Sequence, residues 1–322
     1  GFVPELNKKL ADAKLLYLGL PRDVGGRGLS PYAKIAAMDA FEHQGYNNPA
    51  ANVAQMVALM IHRFGSDELK RDVLSKIMAG EVICSLGYSE PGSGSDVFAA
   101  QCKATQEPDG SWRIDGTKMF TSGANLASYV LMLCRTNPDV PKHKGLTMFV
   151  VPLDAEGIDV QAVHTFQDER TNITFYDGVR LPDSYRLGDI DGGVKTMSAS
   201  LELEHGGGFS KSQRAMLKNA EELCRQISHN GRPLIEETNA QVRLARTAAN
   251  LMVSDMLTFR AQWASAEKKP NFAYGPMAKM FSSEKFQSDA RDLLDLTAPW
   301  SLADRAGPAG ALNMAYRPSQ GT

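Results

Sequence analysis

Along the chain, apolar residues recur first at every third or fourth position, then at every second, then again at every third or fourth. Residues 5 to 80 read as helical. Leu6, Leu10, Ala13 and Leu16 share one face at helical spacing. Ser30-Pro31 supplies an N-cap and a first-turn proline for a second helix over Ala33 to His43. A third helical stretch, Asn52 to Phe64, is rich in Ala, Met and Val, and the glycines of Pro21 to Gly28 break the pattern between the first two. From about Glu81 to Arg186 the period changes to short runs of β-branched and aromatic residues, Ser128 to Arg135, Leu146 to Val151 and Ile173 to Tyr176. Turns are predicted between runs, at Pro108-Asp109-Gly110 and Asp115-Gly116. No helix of ten residues alternates with these runs, which predicts a small antiparallel barrel or sandwich and argues against a doubly wound parallel sheet. After Gly192-Gly193 the helical period returns and holds to about Leu296. Within it Val242, Ala245, Ala249, Met252, Met256, Phe259 and Trp263 step by 3, 4, 3, 4, 3, 4, the seam of a long bundle helix. This seam reads as core packing; the same stripe suits a neighbouring subunit. The expected fold is therefore α+β: an N-terminal helical domain (1–80), a central β domain (81–190) and a C-terminal helical bundle (191–322).

With 322 residues, 43% of them hydrophobic and 22% charged, the chain has ample apolar material for cores, which excludes disorder and collagen. Lys plus Arg number 35 and Asp plus Glu 37, a net charge of −2, so neither a nucleic acid nor an anionic membrane is an expected partner. Cys84, Cys102, Cys134 and Cys224 form no CxxC pair, which argues against a disulfide framework or a zinc knuckle and for a reducing compartment. No apolar run approaches the ~18 residues that span a bilayer. The opening Gly-Phe-Val-Pro-Glu-Leu is not a charged region followed by an apolar one, although the first residue is Gly and a helical pattern begins at once. A cytoplasmic protein is expected.

Gly92-Ser93-Gly94-Ser95-Asp96-Val97 opens like a dinucleotide fingerprint, but Val97 stands in place of the third glycine and no helix pattern follows. Walker, HExxH and GxSxG sequences are absent, and the six histidines lack ligand spacing. Two stretches remain. In Gly87 to Asp96, hydroxyl and carboxyl side chains alternate with glycines and a proline, so amides and hydroxyls can converge on a polar group; a plain surface turn has the same composition. In Asp115 to Gly123, Phe120 and Ser122 are two apart, on one face if extended, and an aromatic beside a hydroxyl can flank a flat ring.

Taken together, Pro21 to Gly28, Tyr88 to Asp96, Gly116 to Ser122, Leu187-Gly188 with Gly192-Gly193, and the helix that follows resemble the acyl-CoA dehydrogenase family, in this order and over nearly the whole chain. The resemblance implies a flavoprotein that removes hydrogens from Cα and Cβ of an acyl-CoA thioester, with FAD held between the β and C-terminal domains and an electron-transfer flavoprotein as acceptor. It places Ser89 at the flavin ring, Ser95 between FAD and the CoA portion, Phe120 where the family usually has Trp against the isoalloxazine, and Ser122, beside Thr121, where it has Thr. A hydroxyl near the flavin N5 stabilises the charge of the reduced ring.

Removal of a proton beside a thioester carbonyl requires a carboxylate in a pocket dry enough to raise its pKa. In the family this base sits either in a late Tyr-Glu-Gly-Thr loop, matched here by Ser319-Gln320-Gly321-Thr322 without the acid, or on the first long helix of the C-terminal domain. The second position corresponds to Glu204. Glu202, ~200° from Glu204 on a helix, aligns with an acidic residue that touches CoA, and His205 with the usual Arg. Gly206, Gly207 and Gly208 cost roughly 1 kcal/mol each if helical; they either leave room for a bulky acyl group or break the helix. Where the family often reaches a neighbour's FAD with Arg-Lys-x-Phe-Gly, this chain offers only Arg232, and Leu296 to Trp300 replaces a glycine-rich pyrophosphate segment. The resemblance thus implies a homo- or hetero-oligomeric acyl-CoA dehydrogenase, with a non-catalytic partner subunit or a flavin oxidase or monooxygenase on the same fold as alternatives.

Overall fold

The computed structural model describes residues 3–321 apart from 44–45, 47, 168, 205–207, 270, 272 and 304–306, and not the side chains of 39, 42, 43, 49, 202–204 and 303. It contains two compact units, one of residues 1–164 and 170–204, the other of residues 165–169 and 205–322.

The first unit opens with α1 (Pro4–Asp12), α2 (Pro31–His43) and α3 (Pro49–Phe64), followed by α4 (Asp67–Leu69), a π turn and α5 (Ser75–Met78). Proline starts α1, but the helix ends four residues short of Leu16, because Lys14 and Tyr17 take positive φ (53° and 56°) and turn the chain back. Leu6 is consequently exposed and Leu16 is buried outside the helix. Ser30 caps α2 as the sequence predicts, its Oγ accepting from the Ala33 amide at 3.2 Å. In α3 the Asn48 side chain caps the Ala51 amide, and Ala54, Val57, Ala58 and Ile61 form one fully buried face at i, i+3, i+4, i+7. The break at Pro21 to Gly28 is a 3₁₀ turn whose Gly26 must lack a Cβ: one built there falls 2.1 Å from the Leu20 carbonyl oxygen.

Eight strands follow: β1 (Cys84–Gly87), β2 (Lys103–Gln106), β3 (Trp112–Lys118), β4 (Tyr129–Arg135), β5 (Leu146–Pro152), β6 (Ile158–His164), β7 (Arg170–Leu181) and β8 (Arg186–Leu187). They form one sheet in the order β6-β7-β3-β2-β4-β5-β8, with β1 on β4. The ladders are antiparallel as predicted, save that β1 and the end of β2 pair parallel to β4. β4 is buried along its whole length, which explains its unbroken apolar run. Leu131 and Leu133 face a core shared with α3 and the other helices, whereas Val130, Met132 and Cys134 face a second core with Trp112 and Phe149. Asp115-Gly116 is not a turn but lies inside β3, opposite a bulge at Asp177-Gly178 of β7. There Gly116, at φ 146°, is pressed against Cys102, and an added Cβ would lie 2.9 Å from its Sγ. The unit closes with α6 (Gly193–Glu204).

The second unit holds α7 (Ser210–Gln226), a short hairpin of β9 (Ser228–His229) and β10 (Arg232–Pro233), α8 (Thr238–Ala266), α9 (Tyr274–Leu296), α10 (Trp300–Ala303) and α11 (Gly307–Ser319). Its core gathers Met216, Ala220 and Leu223 of α7, Leu244 and Leu251 of α8, Phe286 and Leu293 of α9 and Leu312 of α11. The core reading of the α8 seam does not hold. Ala240, Leu244, Thr247, Leu251, Ser254 and Thr258 face inward, and all seven seam residues from Val242 to Trp263 are exposed. Two faces of α8 carry the same 3–4 period, and the one with the smaller, partly polar side chains packs inside.

Candidate active site

β1 delivers the chain into the loop 88–96, which is pinned to the sheet by charge. Glu90 accepts hydrogen bonds from the amides of Gln101 (2.7 Å) and Cys102 (2.9 Å) and from Lys118 Nζ (2.7 Å). The Lys118 side chain is fully buried, and its ammonium also donates to the Leu133 carbonyl at 2.6 Å. Both charges are thereby paired and hydrogen-bonded, as burial requires. Glu90 and Ser93 close a tight turn by mutual backbone bonds, 2.7 and 3.1 Å.

This clamp sets Ser89 beside the end of β3, where the Met119 amide donates to the Ser89 carbonyl at 2.9 Å. The next residue, Phe120, has φ 56° and a ring that is 58% exposed. Phe120 and Ser122 are thus not neighbours on one face of an extended strand; the chain turns at Phe120, and the Ser122 amide donates back to its carbonyl at 2.9 Å. Holding a non-glycine residue in this region costs roughly 1–2 kcal/mol. The turn is locked from below: the Thr121 amide donates to the Asn172 carbonyl (2.9 Å), and Asn172 Nδ2 donates to the Thr121 carbonyl (3.0 Å). Thr121 is itself buried, its Oγ1 lying 3.3 Å from Thr174 Oγ1. Ser122 is exposed, with its Oγ 3.0 Å from Thr171 Oγ1.

Backbone bonds thus bring Ser89 to the end of β3 and Ser122 to the turn at Phe120, so an exposed aromatic and two serines lie within the same short stretch of backbone. These residues fit a flat ring with an apolar face and a polar rim: the strained backbone presents the Phe120 ring to solvent rather than to a core. Ser95 is exposed in the same loop, next to Asp96, which pairs with Lys142. A second tie runs from this loop to α6, where the Tyr88 hydroxyl and Ser200 Oγ are 2.7 Å apart. Glu202 and Glu204 occupy the last turn of α6; their side chains, and His205, lie outside the described residues. Position 204 follows Ser200 by one helical turn.

α6 is described as far as Glu204 and α7 starts at Ser210; Gly206 and Gly207, and with them the choice between a helix break and room for an acyl group, lie outside the described residues. Gly208 borders filled space rather than a roomy pocket, since a Cβ there would lie 2.7 Å from Thr258 Oγ1 and 3.0 Å from Ser282 Oγ. Arg232 is exposed on the β9–β10 hairpin, across an Asn230-Gly231 turn with both residues at positive φ.

Sequence reasoning passed over Glu90, Lys118, Asn172 and the Tyr88–Ser200 link. One signal was available: Trp112 and Ile114 are inward, and counting on by twos makes Lys118 an inward-facing lysine, which demands a buried partner.

Three domain profiles match the chain: acyl-CoA dehydrogenase N-terminal domain over residues 1–81, middle domain over 85–174 and C-terminal domain over 202–320. Acyl-CoA dehydrogenase FadE26 of Mycobacterium tuberculosis is 30% identical over 92% of this chain and 76% of its own length. Among solved structures, the Tcur3481-Tcur3483 steroid ACAD is 29% identical with a TM-score of 0.87, covering 98% of this chain and 82% of that one. The ChsE4-ChsE5 complex from Mycobacterium tuberculosis has the same identity and TM-score, 29% and 0.87, over 98% of this chain and 83% of that one. The chain belongs to the acyl-CoA dehydrogenase family, a family of oxidoreductases.

Proposed function

We propose that this chain catalyses the FAD-dependent α,β-dehydrogenation of an acyl-CoA thioester, with Glu204 as the base. FAD, when bound, supplies the acceptor for the hydride that leaves Cβ. Ser89, Phe120 and Ser122 are the residues to hold its ring, through hydroxyl and backbone donors at the rim and the aromatic at the face. Thr121 contributes by fixing that turn. Ser95, Glu202 and His205 are assigned to the CoA thioester. An electron-transfer flavoprotein or a similar acceptor would be the partner that reoxidises the cofactor.

The observation that carries this reading is the Tyr88–Ser200 contact, at 2.7 Å, which fastens the loop bearing Ser89 to the helix whose last turn carries Glu204. A base must be held near the α-carbon to within a fraction of an ångström to act, and a hydrogen bond one turn away is a direct means of doing so. Lys118 and Glu90 act one step further out, by fixing the loop itself. The similarity to the Tcur3481-Tcur3483 steroid ACAD supports a bulky, steroid-like acyl group as substrate. Four buried, unpaired thiols suit a reducing cytoplasm, and no helix among the described residues is long and apolar enough to cross a membrane.

The test is anaerobic bleaching of the purified yellow protein by acyl-CoA thioesters of increasing bulk. Glu204→Gln should remain yellow and folded and lose turnover by at least the ~10²–10⁴-fold that general bases contribute; full bleaching by that variant would overturn the assignment. A colourless protein that binds no FAD would instead favour a partner-subunit role, a reading supported by the short Asn-Gly hairpin standing where the family often reaches a neighbouring FAD.

A further inference from the structure

Cys102 stands immediately before β2, and Cys134 is the penultimate residue of β4. The two strands meet there in parallel: Lys103 pairs with Arg135, and the Arg135 amide donates to the Cys102 carbonyl at 2.7 Å. One step back in that register Cys102 lies opposite Cys134, and both side chains enter the core that holds Trp112 and Phe149. Neighbouring strands run about 4.8 Å apart, inside the range of roughly 4.4–6.8 Å that a disulfide spans between Cα atoms. The sulfurs already interact, the Cys134 thiol donating to the Cys102 sulfur. Both are free thiols.

The two differ in reactivity. Burial pushes the thiol of Cys84 up to about 12 and that of Cys224 up to about 11, and it holds Cys134 well above the ordinary thiol range. Cys102 moves the other way, because the hydrogen bond from Cys134 favours its thiolate and outweighs burial. The Lys118 ammonium adds a favourable charge, opposed by Glu90 and Asp115. Access is supplied by a glycine. Gly116 passes over Cys102 without a side chain, and an added Cβ there would sit 2.9 Å from the Cys102 sulfur. Together with Glu90, Gly92, Gln101 and Thr117, these two residues line a cleft of about 460 Å³ between the loop 88–96 and the β2–β3 pair. A thiol with thiolate character, reached from a cleft and set beside a second thiol, has what a peroxide-sensing cysteine needs.

We propose that Cys102 and Cys134 form a peroxide-reactive dithiol, in which Cys102 is oxidised by hydrogen peroxide and Cys134 resolves it as a disulfide joining β2 to β4. The Cys102 thiolate attacks a peroxide oxygen; the S–O bond forms as the O–O bond breaks, and the departing hydroxide takes up a proton, replacing the one the thiol gave to solvent. The Cys134 sulfur then attacks the Cys102 sulfur, the S–S bond forms, the S–O bond breaks, and the hydroxide leaves with the Cys134 proton as water. Two electrons pass from the thiols to one hydrogen peroxide, which becomes two waters. This chemistry stands apart from the dehydrogenation, since neither thiol belongs to the candidate site and its test reads thiols rather than turnover.

The full chain is treated with excess hydrogen peroxide, its remaining thiols are blocked with iodoacetamide in urea, and its peptides are mapped by mass spectrometry. The expected product is a peptide pair joined through Cys102 and Cys134, lighter by the hydrogens of both thiols and separated by dithiothreitol. Cys84 and Cys224 should be oxidised at least about tenfold more slowly, because less of each is thiolate. In Cys134→Ser, Cys102 should stop at the sulfenic acid and be captured by dimedone; in Cys102→Ser, Cys134 should stay a thiol. The wild-type map stands whether or not either variant folds. Cys102 and Cys134 both surviving as thiols, earlier oxidation of Cys84 or Cys224, a disulfide between other cysteines or between two molecules, or unchanged oxidation of Cys134 in Cys102→Ser would each overturn the proposal.

Discussion

Phe120 pays for its position in backbone strain while its ring, 58% exposed, gains little from packing. Such an outlier points to use rather than to stability. Phe120→Gly should therefore leave the thermal midpoint unchanged or raise it, by up to about 1 kcal/mol of relieved strain, while lowering FAD affinity about tenfold for the loss of one aromatic contact. Flavin titration and a melting curve on the same sample separate the two effects. Lys118 is the opposite case, a charged residue wholly committed to structure. Lys118→Met leaves the Glu90 carboxylate buried without its cation and should cost ~3–5 kcal/mol, whereas adding Glu90→Gln should recover a large part of it. These two residues also show what one sequence conveys. Phe120 was legible as an aromatic beside hydroxyls, but its left-handed turn depends on Asn172, 52 positions away, whose two bonds no local pattern reveals.

Among the elements, α8 shows why periodicity finds a helix more readily than it finds the helix's inside. Both of its faces repeat at 3 and 4, and hydrophobicity alone favours the outer one; the choice falls to Thr247, Ser254 and Thr258, which are small enough for close packing in the bundle. The price of a polar interior shows on α9. Asp289 is buried against Asn250, whose Nδ2 donates to it at 2.9 Å, and burial pushes its carboxyl from 3.8 up to about 6. The folded state holds this proton more tightly than the unfolded chain, so stability falls as pH rises from about 4 to about 6 and is not regained above that. The shift corresponds to roughly 3 kcal/mol at 1.36 kcal/mol per pH unit. Asp289→Asn, which keeps an acceptor for Asn250, should be more stable than the wild type by up to that amount at pH 7 and no different near pH 4, read by urea unfolding at both. The junction between α6 and α7 yields a second test. Gly208→Ala places a methyl 2.7 Å from Thr258 Oγ1 and should cost ~1–3 kcal/mol as overpacking, an amount that Thr258→Ala in the same chain should largely return.

At the scale of the molecule, the succession of helices, sheet and helices was legible because each change of hydrophobic period coincides with a change of layer. What was not legible is how burial is distributed. The apolar residues fall into two cores around the sheet in the first unit and a separate one in the second. Lys118 belongs to the first unit and Asp289 to the second, and their bonding partners, Glu90, Leu133 and Tyr88 for one and Asn250 for the other, do not overlap among the described residues. Effects of substitutions that share no partner add to within about 0.5 kcal/mol. Lys118→Met and Asp289→Asn have opposite signs at pH 7, so the double variant should lie between the singles at their arithmetic sum. Near pH 4 it should match the Lys118→Met single variant measured at that same pH, because Asp289 is protonated in the native state and its replacement has no effect, while the Lys118→Met cost itself shrinks there as Glu90 takes up a proton. Four proteins measured by urea unfolding at two pH values close this cycle. A coupling above ~1 kcal/mol at pH 7 would show that strain passes between the two sites, and that stability in this chain is set by the whole rather than by each unit's own packing.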